Sequence, residues 1–388
     1  MSRSLAFRAA PDGLVAAVLL SFLATAGLFY VNIMPALVDG LKTGLGFSAR
    51  DAGFVASANV YGAAVGALSA VFTVKRLAWR KVALVALVGL IMIDLASTQL
   101  KAPPALIGVR FVHGVIGGFL VGTSYGVFAR TRAPDRVFGM LLVVQFGLGG
   151  LGLMVLPRLV PMFGTPVLFL ALALFSLVTL AMLPFLDAYE RPAPAPGGAG
   201  EGATLWPPLI AALAAVFLFQ CGNSAVSAYV IGLGRTFGLD LGAITGTLGV
   251  ANWIGALGAL AVVAAGARFG RTGPIMAGMA LVLAGTALFL LQSAPWAYAL
   301  ANAFSGVAWS FTIAYLLGLC AAFDRGGRSA ALAGFCSKMG LASGPALGGV
   351  LLQETHYPRL VGLALVGLTL ASLASAWPAF KLDRAAAA

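Results

Sequence analysis

Four ionisable side chains interrupt long apolar runs, where a charge is costly and its presence carries information: Asp94, Arg110, His113 and Lys338. Asp94 and Arg110 lie nearly symmetrically about residues 101–102, the turn between two such runs, so they reach similar depth and a pair would lower the cost of burying either. His113, one turn from Arg110, either titrates near neutral pH or is held by hydrogen bonds. Lys338 lies ten residues into its run, about 15 Å at 1.5 Å per residue, near the middle of a bilayer. It points about 200° from a seam of Gly340, Gly344 and Gly348 at 100° per residue, so it should face a cavity rather than lipid. Asp324 and Glu354 fall at helix ends. An unpaired cation there calls for an anionic substrate group, a carboxylate; the alternatives are bonds to backbone carbonyls or a neutral amine.

Polar residues recur at spacings of three and four along four runs. They are Ser21, Thr25 and Asn32; Arg110, His113, Gly117 and Ser124; Gln220, Asn223, Ser224 and Ser227; and Asn302, Ser305, Trp309 and Thr312. Each is a polar stripe on one helix face. Asn32, Gln220, Asn223 and Asn302 are therefore substrate-contact candidates, with Trp309 as the aromatic contact.

The elements that must position these residues are membrane-spanning helices. The chain of 388 residues is 61% hydrophobic and 9% charged, against about 25% charged in a soluble domain. Apolar runs of bilayer-crossing length centre near residues 25, 62, 89, 117, 147, 175, 219, 252, 282, 308, 340 and 368. Backbone polar groups in lipid must be satisfied within the segment, so an all-α integral membrane protein of twelve spans is expected. The stripes fall on spans 1, 4, 7 and 10. Spans 6, 9 and 12 carry only scattered hydroxyls, which bond their own backbone.

The net charge of +12 follows this topology rather than nucleic acid. With the N-terminus inside, Lys and Arg divide 16 inside to 6 outside, excluding Arg110 and Lys338 within spans. That positive-inside bias puts both termini in the cytoplasm, and the chain is expected in the plasma (inner) membrane. The first apolar run is read as span 1 rather than a cleaved signal peptide.

Shifting the sequence by 192 positions superimposes Gly46 on Gly238, Gly66 on Gly258, Gly114 on Gly306, Gly126 on Gly318 and Gly152 on Gly344, with Arg76 on Arg268 and Arg136 on Arg328. The chain therefore reads as two pseudo-symmetric six-helix bundles, residues 1–186 and 207–388, joined by a Pro- and Gly-rich cytoplasmic linker at 187–206. Ser48 with Asp51, and Asp240, occupy helix N-cap positions at the same place in each copy.

Six plus six spans, a central linker and polar faces on spans 1, 4, 7 and 10 resemble the major facilitator superfamily of secondary transporters. The loop GARFGRT is similar to that superfamily's Gly-x-x-x-Asp-Arg-x-Gly-Arg loop, matching at Arg268, Gly270 and Arg271. LIGVRFVHG is similar to its Leu-x-x-x-Arg-x-x-Gln-Gly motif, with Arg110 and Gly114 in place and His113 where Gln is usual. VKRLAWRK, the first-half loop, keeps Arg76 but has Lys75 for the Asp and Ala78 for a Gly. The Gly-x-x-x-Gly-Pro-x-x-Gly-Gly motif of drug antiporters is absent from span 5 and occurs instead in span 11 as GLASGPALGG.

The resemblance implies alternating access, with Arg76, Arg268, Gly270 and Arg271 in conformational-switch loops. It also implies that Arg110 binds an anion or modulates a proton-carrying carboxylate, which makes Asp94 and His113 the proton-coupling candidates. The expected activity is transport of a small organic solute, leaning to an organic anion or carboxylate moved by a proton-coupled symporter and bound by Lys338 and Arg110. Efflux of drug-like compounds is the alternative. A copper transporter, suggested by Cys336, Met339, Met276 and Met279, is a minor one. Twelve acidic residues almost all in loops, two His and no metal or nucleophile motif argue against an enzyme. No cofactor is expected, and the partners are the solute and the bilayer, with the chain a monomer.

Overall fold

The computed structural model describes residues 8–73, 78–189, 205–266, 268–323, 328–352 and 356–387. Among these the helices are α1 (Leu14–Ala26), α2 (Phe29–Asn32), α3 (Met34–Leu45), α4 (Ala49–Thr73), α5 (Trp79–Ser97), α6 (Pro103–Phe128), α7 (Pro134–Phe163), α8 (Pro166–Met182), α9 (Trp206–Ser227), α10 (Val230–Thr236), α11 (Leu241–Ala265), α12 (Thr272–Leu288), α13 (Pro295–Ala321), α14 (Arg328–Leu351) and α15 (Tyr357–Ala387). Eight are long and apolar enough to cross a bilayer, namely α4, α6, α7, α8 with its closing 3-10 turn, α9, α11, α13 and α15; α1 and α12 are apolar but shorter. The expected first span is not one helix. It breaks after Ala26 and again at Ile33 into α1, α2 and α3, and the seventh breaks at Ala228 and Tyr229 into α9 and α10. Most of the expected linker, and Arg76 with it, lies outside the described residues.

The duplication is physical. A side chain on Gly66 would run into Val115 backbone, and one on Gly258 into Val307 backbone. Gly114 packs on Asn59 and Gly306 on Ala251; Gly152 packs on Ile33 and Gly344 on Ala225. Both members of each contact are displaced by the same 192 residues, so the shared glycines are the close-approach points of one helix arrangement used twice. Gly46 and Gly238 have φ of +68° and +72°, a backbone that glycine adopts without strain. Each is followed by an N-cap: Ser48 Oγ accepts from Asp51 N at 3.0 Å, and Asp240 Oδ1 from Ala243 N at 2.9 Å. The Gly340, Gly344 and Gly348 seam seats α14 against α9, against Phe217, Ser224 and Tyr229 in turn.

Call the end of the bundle carrying both termini the linker end, and the opposite one the far end. At the far end one apolar core runs through both halves, from Ile33, Leu37 and Val55 to Ile231, Ile244 and Leu360. Towards the linker end it divides. Leu20, Leu87 and Phe128 belong to a core of the first half alone, and Phe219, Ile275 and Leu316 to a core of the second half alone.

Each half is braced at the linker end by the close of its last span. In the first, Trp79 Nε1 donates to Ala188 O at 2.7 Å and Tyr189 Oη to Pro11 O at 2.9 Å. Burial, reinforced by Asp187 and Asp12 against Arg80, pushes the Tyr189 phenol up to about 12. In the second, Asp383 of α15 accepts from Arg271 N and Thr272 N, both at 2.8 Å, capping α12. Gly270, at φ +67°, brings that loop so close to the Asp383 carboxylate that a Cβ would stand 2.9 Å from it.

Candidate functional site

The break in the first span turns Asn32 out of α2 towards the second half. Asn32 there lines a cavity of about 270 Å³ between the halves. Its polar lining is Asn32, Gln145, Asn223, Ser224, Ser227, Asn252, Thr286, Asn302, Ser305 and Trp309, closed by apolar residues including Phe146, Phe289 and Leu341. None of the lining residues is charged. At 270 Å³ the cavity lies just below the usual range for small-molecule sites, about 300–1,000 Å³, which sizes it for a single-ring solute.

Hydrogen bonds fix the chemistry of this lining. Asn223 Nδ2 donates to Phe219 O at 2.9 Å, Asn302 Nδ2 to Tyr298 O at 2.8 Å, and Asn252 Nδ2 to Phe146 O at 2.8 Å. Ser224 Oγ and Ser227 Oγ donate to backbone carbonyls. Trp309 Nε1 donates to Gln220 Oε1 at 2.7 Å, and Gln220 Nε2 to Ser337 Oγ at 2.8 Å. Gln220 thus stands behind the wall and holds the indole. Asn32 Nδ2 from the first half and Ser305 Oγ from the second are buried without a hydrogen-bond partner among the described residues. Orphaned polar atoms of this kind are costly unless a ligand or water completes them.

Asn32, Asn223, Asn302 and Trp309 therefore converge as their stripes suggest. Span 4 does not contribute its expected wet face. Arg110 is fully buried, its Nη1 2.7 Å from Asp94 Oδ1, with Nη2 on Ile93 O and Ser97 Oγ. The Phe169 ring lies 4.9 Å and the Tyr30 ring 6.0 Å from its guanidinium. Asp94 was close enough in depth to claim this cation, and the aromatic rings seal the pair off from the cavity. Asn59 Nδ2 donates to Arg110 O at 3.1 Å and to His113 Nδ1 at 2.8 Å. That leaves Nε2–H of His113 facing Asp94 Oδ1 at 3.3 Å. Asp94, Arg110 and His113 thus come together, but as a closed cluster behind the cavity.

Lys338 is not part of the lining either. It is half-buried, one turn from the lining residue Leu341, and has no hydrogen bond or ion pair with a described residue. Arg268 is exposed and Arg271 half-buried in the capped loop described above. Sequence reasoning passed over Asn59, Gln145, Asn252 and Thr286. For the first three the available signal was the rarity of an amide within an apolar run, on spans whose other residues form no stripe; Thr286, a hydroxyl, gave none.

The hydrogen bonds that cross between the halves occupy only the middle and far end among the described residues. Asp39 and Arg235 form a bidentate pair at 2.5 and 2.8 Å. Arg158 Nε donates to Thr245 Oγ1 at 2.7 Å, Tyr229 Oη lies 2.9 Å from Ala49 O, and Tyr61 donates to Ser343 Oγ at 2.8 Å. With the apolar core also divided at the linker end, the cavity is closed on the far side.

Two pseudo-symmetric helical halves packed around a cavity have the architecture of a membrane transporter. A sequence profile of the Major Facilitator Superfamily matches residues 17–323, and the chain belongs to that superfamily. The fold is similar to the crystal structure of the nucleoside transporter NupG, at 14% identity and a TM-score of 0.73, over 94% of this chain and 99% of that one. It is also similar to the POT family transporter PepTSo, at 11% identity and a TM-score of 0.71, over 95% of this chain and 97% of that one. No curated protein sequence matches the chain.

Proposed function

We propose that the chain carries a small organic solute through this cavity as a secondary active transporter, with the linker end cytoplasmic and the solute reaching the cavity from that side in the conformation described. The observation that carries the reading is the orphaned pair Asn32 Nδ2 and Ser305 Oγ, one from each half. A solute that bonds to both links its occupancy to the relative position of the halves, which is what coupled exchange of access requires.

Proton coupling is assigned to the Asp94, His113 and Arg110 cluster. One Asp94 oxygen is shared by Arg110 and His113, while the other, Oδ2, is buried without a partner among the described residues. A second reading, an organic anion, has one observation in its favour: Lys338, one turn from the lining residue Leu341, has no partner among the described residues. Proton-coupled uptake and efflux differ in whether solute and proton move in the same or in opposite directions, which the same assay reads. Proteoliposomes with an imposed pH gradient and a panel of radiolabelled solutes test the reading. Asn32→Ala and Ser305→Ala should each weaken half-saturation about fivefold, the effect of about 1 kcal/mol for a lost hydrogen bond. Absence of flux for every solute under every gradient would remove the transporter assignment.

A further inference from the structure

We infer that the cavity selects an uncharged, single-ring solute rich in hydrogen-bond donors, and that Asn223, Asn252 and Asn302 read those donors. This rests on the cavity being the transport site.

The inference comes from the direction of three carboxamides. A side-chain amide bonded to a backbone carbonyl can present only its nitrogen to that oxygen, because the carbonyl only accepts. Phe219 O, Phe146 O and Tyr298 O therefore fix the nitrogens of Asn223, Asn252 and Asn302, and the three Oδ1 atoms carry no hydrogen bond to a described residue. All three residues line the cavity. Ser224 and Ser227 likewise send their protons to Cys221 O and Ser224 O, leaving oxygen lone pairs. The indole N–H of Trp309 is occupied by Gln220, so the indole offers the cavity only an apolar ring. Apart from the orphaned Asn32 Nδ2, a donor that one acceptor on the solute would complete, these groups make the lining acceptor-rich, and hydroxyl or N–H groups of a solute satisfy them.

Charge narrows the class further. Converging carbonyl dipoles disfavour a carboxylate, and no lining residue supplies a positive charge. No lining carboxylate compensates an ammonium for its lost water. A neutral solute with several donors meets both conditions, and Trp309 and Phe146 give its ring a flat apolar surface.

Binding of matched probes to the full-length protein in nanodiscs tests the inference. The set contains uracil and 1,3-dimethyluracil, myo-inositol and its hexamethyl ether, benzamide and N,N-dimethylbenzamide, with benzoate and benzylamine as charged members. The expected result is that at least one neutral donor-bearing probe binds, that its methylated partner binds at least tenfold more weakly, and that Asn223→Leu and Asn302→Leu each weaken it by a similar factor. Asn223→Asp and Asn302→Asp keep the acceptor and should retain binding better than the leucine variants, which separates loss of the acceptor from misfolding. The inference is overturned if benzoate or benzylamine is the tightest probe, if methylation leaves binding unchanged, or if no neutral probe binds. Benzoate binding abolished by Lys338→Gln would establish the anionic reading in its place. In each of these outcomes flux of some solute can persist, so the transport assignment stands or falls separately.

Discussion

Breaking the Asp39–Arg235 pair should tilt the protein towards the conformation open at the far end. Asp39 lies in α3 of the first half and Arg235 in α10 of the second, so any separation of the halves there must pull them apart. Two charge-assisted bonds of 2.5 and 2.8 Å join them, with the Asp39 side chain 10% and the Arg235 side chain 41% exposed. A fully exposed pair contributes about 0.2–1 kcal/mol, and a hydrogen bond to a charged group about 1.5–3 kcal/mol. The exposure of Arg235 places this pair between them, at about 1–2 kcal/mol, or about 5- to 30-fold in the ratio of the two conformations. Lys42 adds to this in one variant: with Asp39 gone, it and Arg235 repel across the seam, so Asp39→Asn should exceed Arg235→Gln. Spin labels at Lys101→Cys and Ser293→Cys, exposed far-end positions 192 residues apart, in a background without native cysteines, report the separation by pulsed electron resonance. An open fraction of about one in a hundred would rise to about one in four at the upper limit. The exchanged pair, Asp39→Arg with Arg235→Asp, should restore much of the closed population. Unchanged distance distributions in Asp39→Asn, or a swap no better than either single variant, would refute the reasoning.

Two further outcomes follow from other contacts. Arg110→Gln and Asp94→Asn each strand a fully buried partner, so each should lower stability by about 3–5 kcal/mol while the double variant costs much less than their sum, as read from thermal unfolding in detergent. The raised Tyr189 phenol holds its proton longer in the folded state, so its contribution is present in full below the unfolded value of 10.0 and is lost as pH rises towards about 12. The protection of residues 8–12 from hydrogen exchange, taken relative to the base-catalysed intrinsic rate, should fall over that alkaline window in the natural chain, and Tyr189→Phe should remove the step.

Much of the fold was legible because hydrocarbon imposes so few solutions. Apolar runs had to be helices, and basic loops had to favour one side. Glycines repeated at 192 residues had to mark contacts made twice; the pairing of Gly66 with Val115 and of Gly258 with Val307 is that repeat in three dimensions. The break after Ala26 and the one in the seventh span were not legible, since no proline or run of polar residues marks them; at the first, the close packing of Gly27 on Gly117 accompanies the bend.

The site divided differently. Helical spacing found Asn32, Asn223, Asn302 and Trp309, because a polar stripe in a membrane helix is expensive unless it meets a cavity. Spacing also offered Arg110 and His113, and there the tertiary structure decided otherwise: Asp94, one helix away, takes the guanidinium, and Phe169 and Tyr30 cover it. Gln145 and Asn252 entered the site from helices with no stripe, because two halves meeting face to face expose residues that neither half singles out alone. Sequence by itself determined that this chain is a duplicated helical bundle in a membrane, with its polar residues on particular faces, since burial cost acts on each residue where it stands. Only the tertiary structure decided which polar atoms remain free to meet a solute, since the direction of an amide depends on which carbonyl has already taken its nitrogen.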